Sequence, residues 1–144
     1  MVDYNEEQLY KIKDILKSIE KSKVGAIRIF LGNFRRKYDD PADAIDYNGI
    51  VRMLQEMCDS SKCEIWVETH NEFATGKVLK KLMEDVSREN LKIIWDVMHP
   101  FEDGESPEDT YGYIKDYIAH VHIKDGRKKQ DPNWHDFEYT TLGT

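Results

Sequence analysis

The chain has 144 residues, 34% of them charged and 40% hydrophobic, with a net charge of -7. That length suits one domain spanning residues 1–144. The acidic balance speaks against a nucleic-acid or anionic-membrane partner, and no apolar run reaches membrane-spanning length.

The first residues, Met1-Val2-Asp3-Tyr4-Asn5-Glu6-Glu7, are acidic and carry no signal-peptide pattern. A cytoplasmic protein is therefore expected, with Cys58 and Cys63 as reduced thiols rather than a disulfide. A helix is predicted over 6–23, where Leu9, Ile12, Ile15, Leu16 and Ile19 recur at three and four residues. A strand over 26–31 follows, with Ile27, Ile29 and Leu31 on one face and Arg28 and Phe30 on the other. Residues 32–41 read as a loop rich in Gly, Asn and Arg. The second helix covers 46–58, with Ile50, Val51, Leu54 and Met57 as its stripe.

The next strand, over 64–70, puts Glu68 and His70 opposite Ile65 and Val67. A loop over 71–76 leads to a third helix over 77–87, carrying Val78, Leu79, Leu82, Met83 and Val86. In the strand over 93–99, Asp96 lies opposite Trp95 and Val97. Ser106-Pro107-Glu108-Asp109 is a helix start, with a serine cap, proline in the first position and acids in the first turn. That helix runs to about Tyr117. In the last strand, over 118–125, Ala119, Val121 and Ile123 point one way and His120, His122 and Lys124 the other. Residues 126–136 read as a basic, polar loop, and 139–144 begin another element.

Strict alternation of helix and strand means parallel strands with crossover helices. One face of each strand is apolar, and the other carries charged groups near the C-terminal end. That pattern fits a (β/α) barrel better than an open doubly wound sheet, whose strands read as apolar throughout. A full barrel needs eight units, so four strands predict an α/β half TIM barrel. Its inner face would expose Phe30, Trp66 and Ile94, and its edge strands would carry unpaired backbone groups. A homodimer in which two half-barrels cover each other is the expected remedy. The alternative is a tail, 126–144, folded over the exposed face. Trp66 has a second reading beside Trp95, as an aromatic packed against a helix.

Glu68, Asp96 and His122 stand at equivalent positions on three successive strands. Taken singly, each also reads as a solvated carboxylate or a satisfied histidine. Taken together they form a mixed oxygen and nitrogen set suited to Mn²⁺, Mg²⁺ or Co²⁺, with Zn²⁺ also compatible. Arg28 has two readings: it holds a substrate phosphate or carboxylate, or it pairs with Glu64 or Glu68. Arg127-Lys128-Lys129 reads as a solvated charge run or an aid to holding an anionic substrate, and Trp134-His135 as a lid contact.

Val67-Glu68-Thr69-His70, Trp95-Asp96-Val97-Met98-His99 and His120-Val121-His122-Ile123-Lys124-Asp125 together resemble the sugar phosphate isomerase/epimerase family, the xylose-isomerase-like TIM barrels. The resemblance covers nearly the whole chain and implies a single-domain partial barrel acting on a sugar or sugar-phosphate. It matches Glu68, Asp96 and His122 to the family's divalent-metal ligands and His99 to a histidine that meets substrate oxygens. It places His70 and Lys124 at substrate contacts and Glu68 as the group that moves a proton beside a carbonyl. It also implies a fourth ligand, a glutamate beyond Leu142-Gly143-Thr144, where this chain ends. A non-catalytic module that keeps the ligands is one alternative. An apurinic endonuclease is the other, disfavoured by the acidic charge and by the lack of an Asp-x-His pair over 131–137.

Overall fold

A computed structural model of the protein describes residues 6–32, 45–130 and 136–144. The readings made for residues 1–5, for most of the 32–41 loop and for Trp134-His135 lie outside them. The element order is α1 (Glu6–Glu20), β1 (Ala26–Ile29), α2 (Tyr47–Ser60), β2 (Glu64–Glu68), α3 (Gly76–Val86), β3 (Leu91–Asp96), α4 (Met98–Glu102), α5 (Pro107–Ile114) and β4 (Ile118–His122). A hairpin of β5 (Asp125–Lys128) and β6 (Phe137–Thr140) ends the chain. The first four strands are parallel and ordered β1-β2-β3-β4. The architecture is that of a partial TIM barrel, and among the described residues no strand closes it. No helix among them is long and apolar enough to cross a membrane.

The helices α1, α2, α3 and α5 pack in a row against one face of the sheet. The core between them holds Leu16, Ile50, Met53, Leu54, Ile65, Leu79, Leu82, Leu91, Ile93 and Ile114, all essentially without solvent contact. Local chemistry sets the helix ends. Asp46 caps α2, its side chain accepting from Gly49 N at 2.8 Å. Ser106 caps α5, accepting from Asp109 N at 3.1 Å, with Pro107 opening the helix. Ser87 ends α3 in the left-handed region. The stripe of α1 is narrower than its periodicity suggests: Leu9 and Leu16 are buried, but Ile15 faces solvent.

The last strand departs from simple alternation. Ile118 packs against the core while His120 and His122 line the opposite face. Residues an even number apart share a face in a regular strand, so Ile118 and His122 cannot be separated without an irregularity. The register supplies it: Ile93 pairs with Ile118, but Ile94 pairs with His120, leaving Ala119 as an extra residue.

Three further expectations change. The strand over 93–99 ends at Asp96, because Val97 turns into right-handed helical backbone and His99 enters α4. Pro100 sits in the first turn of α4, where a missing N–H costs nothing. The basic loop over 126–136 is in part strand: Arg127 faces Glu138 across the hairpin at 3.3 Å. Finally, Ile94 is buried, flanked by its register partners Glu68 and His120. Trp66 lies on this inner face, half-buried, with its ring stacked on His120 at 6.0 Å, whereas Trp95 packs on the helix side beside Tyr111.

Candidate metal centre

Glu68, Asp96 and His122 are the last residues of β2, β3 and β4. Parity puts all three on the face away from the helices, and Asp96 and His122 are direct register partners. The side chains meet. His122 Nδ1 lies 3.5 Å from Glu68 Oε1 and 3.9 Å from Asp96 Oδ2. Both carboxylates are buried, Asp96 completely.

Each carboxylate turns one oxygen toward His122 and the other toward a donor of the protein. Glu68 Oε2 accepts from Arg28 Nη1 at 3.2 Å, the ion pair that is one of the two readings of Arg28. The Arg28 guanidinium also lies over the Phe30 ring, 4.8 Å from its centre. Asp96 Oδ1 accepts from Met98 N at 3.1 Å, a bond made when the chain turns into α4. Asp96 Oδ2 lies 2.6 Å from Lys124 Nζ. The contact is an ion pair.

His99 completes the cluster from the side. Its Nδ1 meets the carbonyl oxygen of Thr69. A carbonyl only accepts, so Nδ1 carries the proton and the neutral ring offers its lone pair at Nε2. Lys124 Nζ, which only donates, stands 3.4 Å from that Nε2. Burial holds the His99 imidazole below its usual range, outweighing the opposite pull of Asp96 and the Thr69 carbonyl; Lys124 and His70 add to the depression. The His70 ring packs edge-on to His99 at 4.6 Å and to Phe30 at 5.0 Å.

The structure thus brings together Glu68, Asp96 and His122 at the centre, with Arg28, His70, His99 and Lys124 around them. Two features go beyond the sequence reading. His99, matched by resemblance to a substrate contact, is also a candidate ligand, for ligand atoms of Glu68, Asp96 and His99 all lie within 4.8 Å of one another. The D-x-x-H spacing carried that signal, but only if Val97 is read as a helical turn. Thr69 is the other: fully buried, its hydroxyl spans both backbone groups of Asp96. No sequence pattern marks it.

The donor set fits a divalent cation. It offers two buried carboxylates, a neutral imidazole whose second nitrogen is fixed by a carbonyl, and a carboxylate oxygen, Asp96 Oδ2, held by the Lys124 ammonium.

The family described as xylose isomerase-like TIM barrel matches residues 4–143. A curated 3-dehydroshikimate dehydratase of Bacillus anthracis is 28% identical over 104 residues, 71% of this chain and 37% of that protein. A xylose isomerase domain protein from Planctomyces limnophilus superposes with a TM-score of 0.73 at 22% identity, over 96% of this chain and 50% of that one. The D-psicose 3-epimerase of Clostridium cellulolyticum H10, solved with D-tagatose, gives 0.63 at 18% identity, over 79% and 43%. The chain therefore spans little over a third of the curated relative and half or less of these solved structures.

Proposed function

This chain belongs to the xylose isomerase-like TIM barrel family, and from that premise we propose a divalent-metal-dependent isomerase or epimerase acting on a sugar or sugar-phosphate. One observation carries the reading. Glu68 Oε1 and Asp96 Oδ2 both face His122, while the remaining oxygen of each is held by Arg28 or the Met98 N–H. Glu68, Asp96 and His122 would hold Mn²⁺, Mg²⁺, Co²⁺ or Zn²⁺, with His99 Nε2 as a further donor. Such an ion supplies positive charge that polarises a carbonyl and offsets the charge of an enediolate.

The protein's own groups do the rest. Glu68 accepts the proton from the carbon beside the carbonyl, leaving the electron pair on the substrate; its return to the neighbouring carbon gives isomerisation, whereas epimerisation takes a second proton donor on the opposite face of the first carbon. Arg28 fixes the orientation of the Glu68 carboxylate. His70 meets substrate oxygens, as does His99 where its Nε2 is not taken by the ion, and Lys124 provides a cation for an anionic group.

The dehydratase relative favours a second reading. The same proton removal followed by loss of hydroxide from the adjacent carbon yields dehydration instead of epimerisation.

The test is deuterium uptake. Ketohexoses such as D-tagatose are incubated in heavy water with the protein and Mn²⁺, and the sugar is read by mass spectrometry. One deuteron should appear in the substrate, and Glu68→Gln should abolish the uptake. Mn²⁺ binding without uptake across ketohexoses and 3-dehydroshikimate would favour the non-catalytic module.

A further inference from the structure

We infer that Lys124 is a tethered cation that sits on the Asp96 carboxylate in the metal-free protein and must give way when a divalent ion enters. The inference rests on the metal reading above and adds a competition for the same atoms.

The two cations of the site stand on opposite sides of their carboxylates. Arg28 Nη1 contacts Glu68 Oε2 and leaves Oε1 toward His122. Lys124 Nζ instead contacts Asp96 Oδ2, the oxygen that itself faces His122. Asp96 Oδ1 is already taken by Met98 N–H, and His99 Nδ1 by the Thr69 carbonyl. On Asp96 and His99 the lone pairs left to an incoming ion are therefore those of Oδ2 and Nε2, and Lys124 Nζ engages both, at 2.6 and 3.4 Å.

The arrangement has a physical cause. Asp96 is fully buried, and an ionised carboxylate without a counter-charge there is costly. Lys124 supplies that charge before any metal arrives. An ammonium and a dication cannot share one pair of donors, because like charges at contact distance repel strongly where water is scarce. From that same position Lys124 Nζ lies 5.1 Å from the centre of the Tyr139 ring, an aromatic face toward which it can withdraw. Tyr139 is anchored by its hydroxyl, which donates to Glu102 Oε1 at 2.9 Å. Withdrawal toward that ring turns a metal substitute into a cation facing the substrate.

Calorimetric titration with MnCl₂ tests this. Lys124→Met, which keeps the stem and removes the charge, should bind Mn²⁺ at least tenfold more tightly than the unmodified protein. Its melting temperature should fall without Mn²⁺ and recover when Mn²⁺ saturates. A second measurement needs no variant. Acetylation of Lys124, followed by peptide mass spectrometry, should be faster in the unmodified protein with Mn²⁺ than without, because the ammonium is released. Equal or weaker Mn²⁺ binding by folded Lys124→Met, or acetylation unchanged or slowed by bound Mn²⁺, overturns the competition and leaves the metal reading standing. No Mn²⁺ binding by either protein overturns both.

Discussion

Thr69 grips Asp96 at both of its backbone groups: Thr69 Oγ1 accepts from Asp96 N at 2.8 Å and donates to Asp96 O at 3.1 Å. The hydroxyl closes the gap between β2 and β3 where the chain leaves the sheet and turns into α4. Thr69→Val keeps the shape but leaves a buried N–H and C=O without that partner. A loss of about 1–3 kcal/mol is expected in urea denaturation, with weaker Mn²⁺ binding because Asp96 is no longer fixed. Thr69→Ser should retain most of both.

His99 makes stability depend on pH. Burial holds its pKa below the ordinary 6.5 in the folded protein. The unfolded chain therefore binds the proton first as pH falls. This contribution is fully present above pH 6.5 and is lost as pH drops toward the folded value. Urea melts at pH 7.5 and 5.5 should show that loss, reduced in His99→Gln. An equal loss in the variant would mean that other groups account for it.

Cys58 should be chemically quiet. Burial pushes its thiol up to about 11, with Asp59 adding and Arg88 opposing. Cys63 is buried as well. A colorimetric disulfide reagent at pH 8 should label both only as fast as the protein unfolds. Rapid labelling of the native protein would contradict this packing.

Glu105 holds the start of α3 from a distance in sequence. Its carboxylate accepts from Gly76 N at 2.6 Å, from Lys77 N at 3.1 Å and from the Thr110 hydroxyl at 2.7 Å. Gly76 is needed for that approach, since a Cβ there would come within 3.0 Å of Glu105 and of the Thr110 backbone. Glu105→Ala should cost about 0.5–2 kcal/mol, the range of a lost helix cap. Mn²⁺ affinity should be unchanged, because the contact lies outside the site.

What the sequence made legible was what repeats. The alternation of periods two and three to four gave the order of elements, and the strand parity gave Glu68, Asp96 and His122 a common face. What it hid were single-residue events. The extra residue at Ala119 leaves no periodic trace, yet it lets Ile118 enter the core while His122 faces Asp96. The turn at Val97 moves His99 from strand to helix and makes it a candidate ligand. The hairpin of β5 and β6 was obscured by Arg127-Lys128-Lys129, whose charge suggests a loop although Arg127 pairs with Glu138 across strands. The inner face was expected to expose Phe30, Trp66 and Ile94 together with the charged site groups. Ile94 is buried there because Glu68 and His120 flank it, a relation set by register between strands.

The central claim is that the ends of β2, β3 and β4 form one cation site. Mn²⁺ titration of the unmodified protein against Asp96→Ala tests it most directly, with circular dichroism confirming that both are folded. The account predicts one bound ion per chain in the unmodified protein and none in Asp96→Ala. Tight binding that survives Asp96→Ala, or no binding by the unmodified protein, would contradict it.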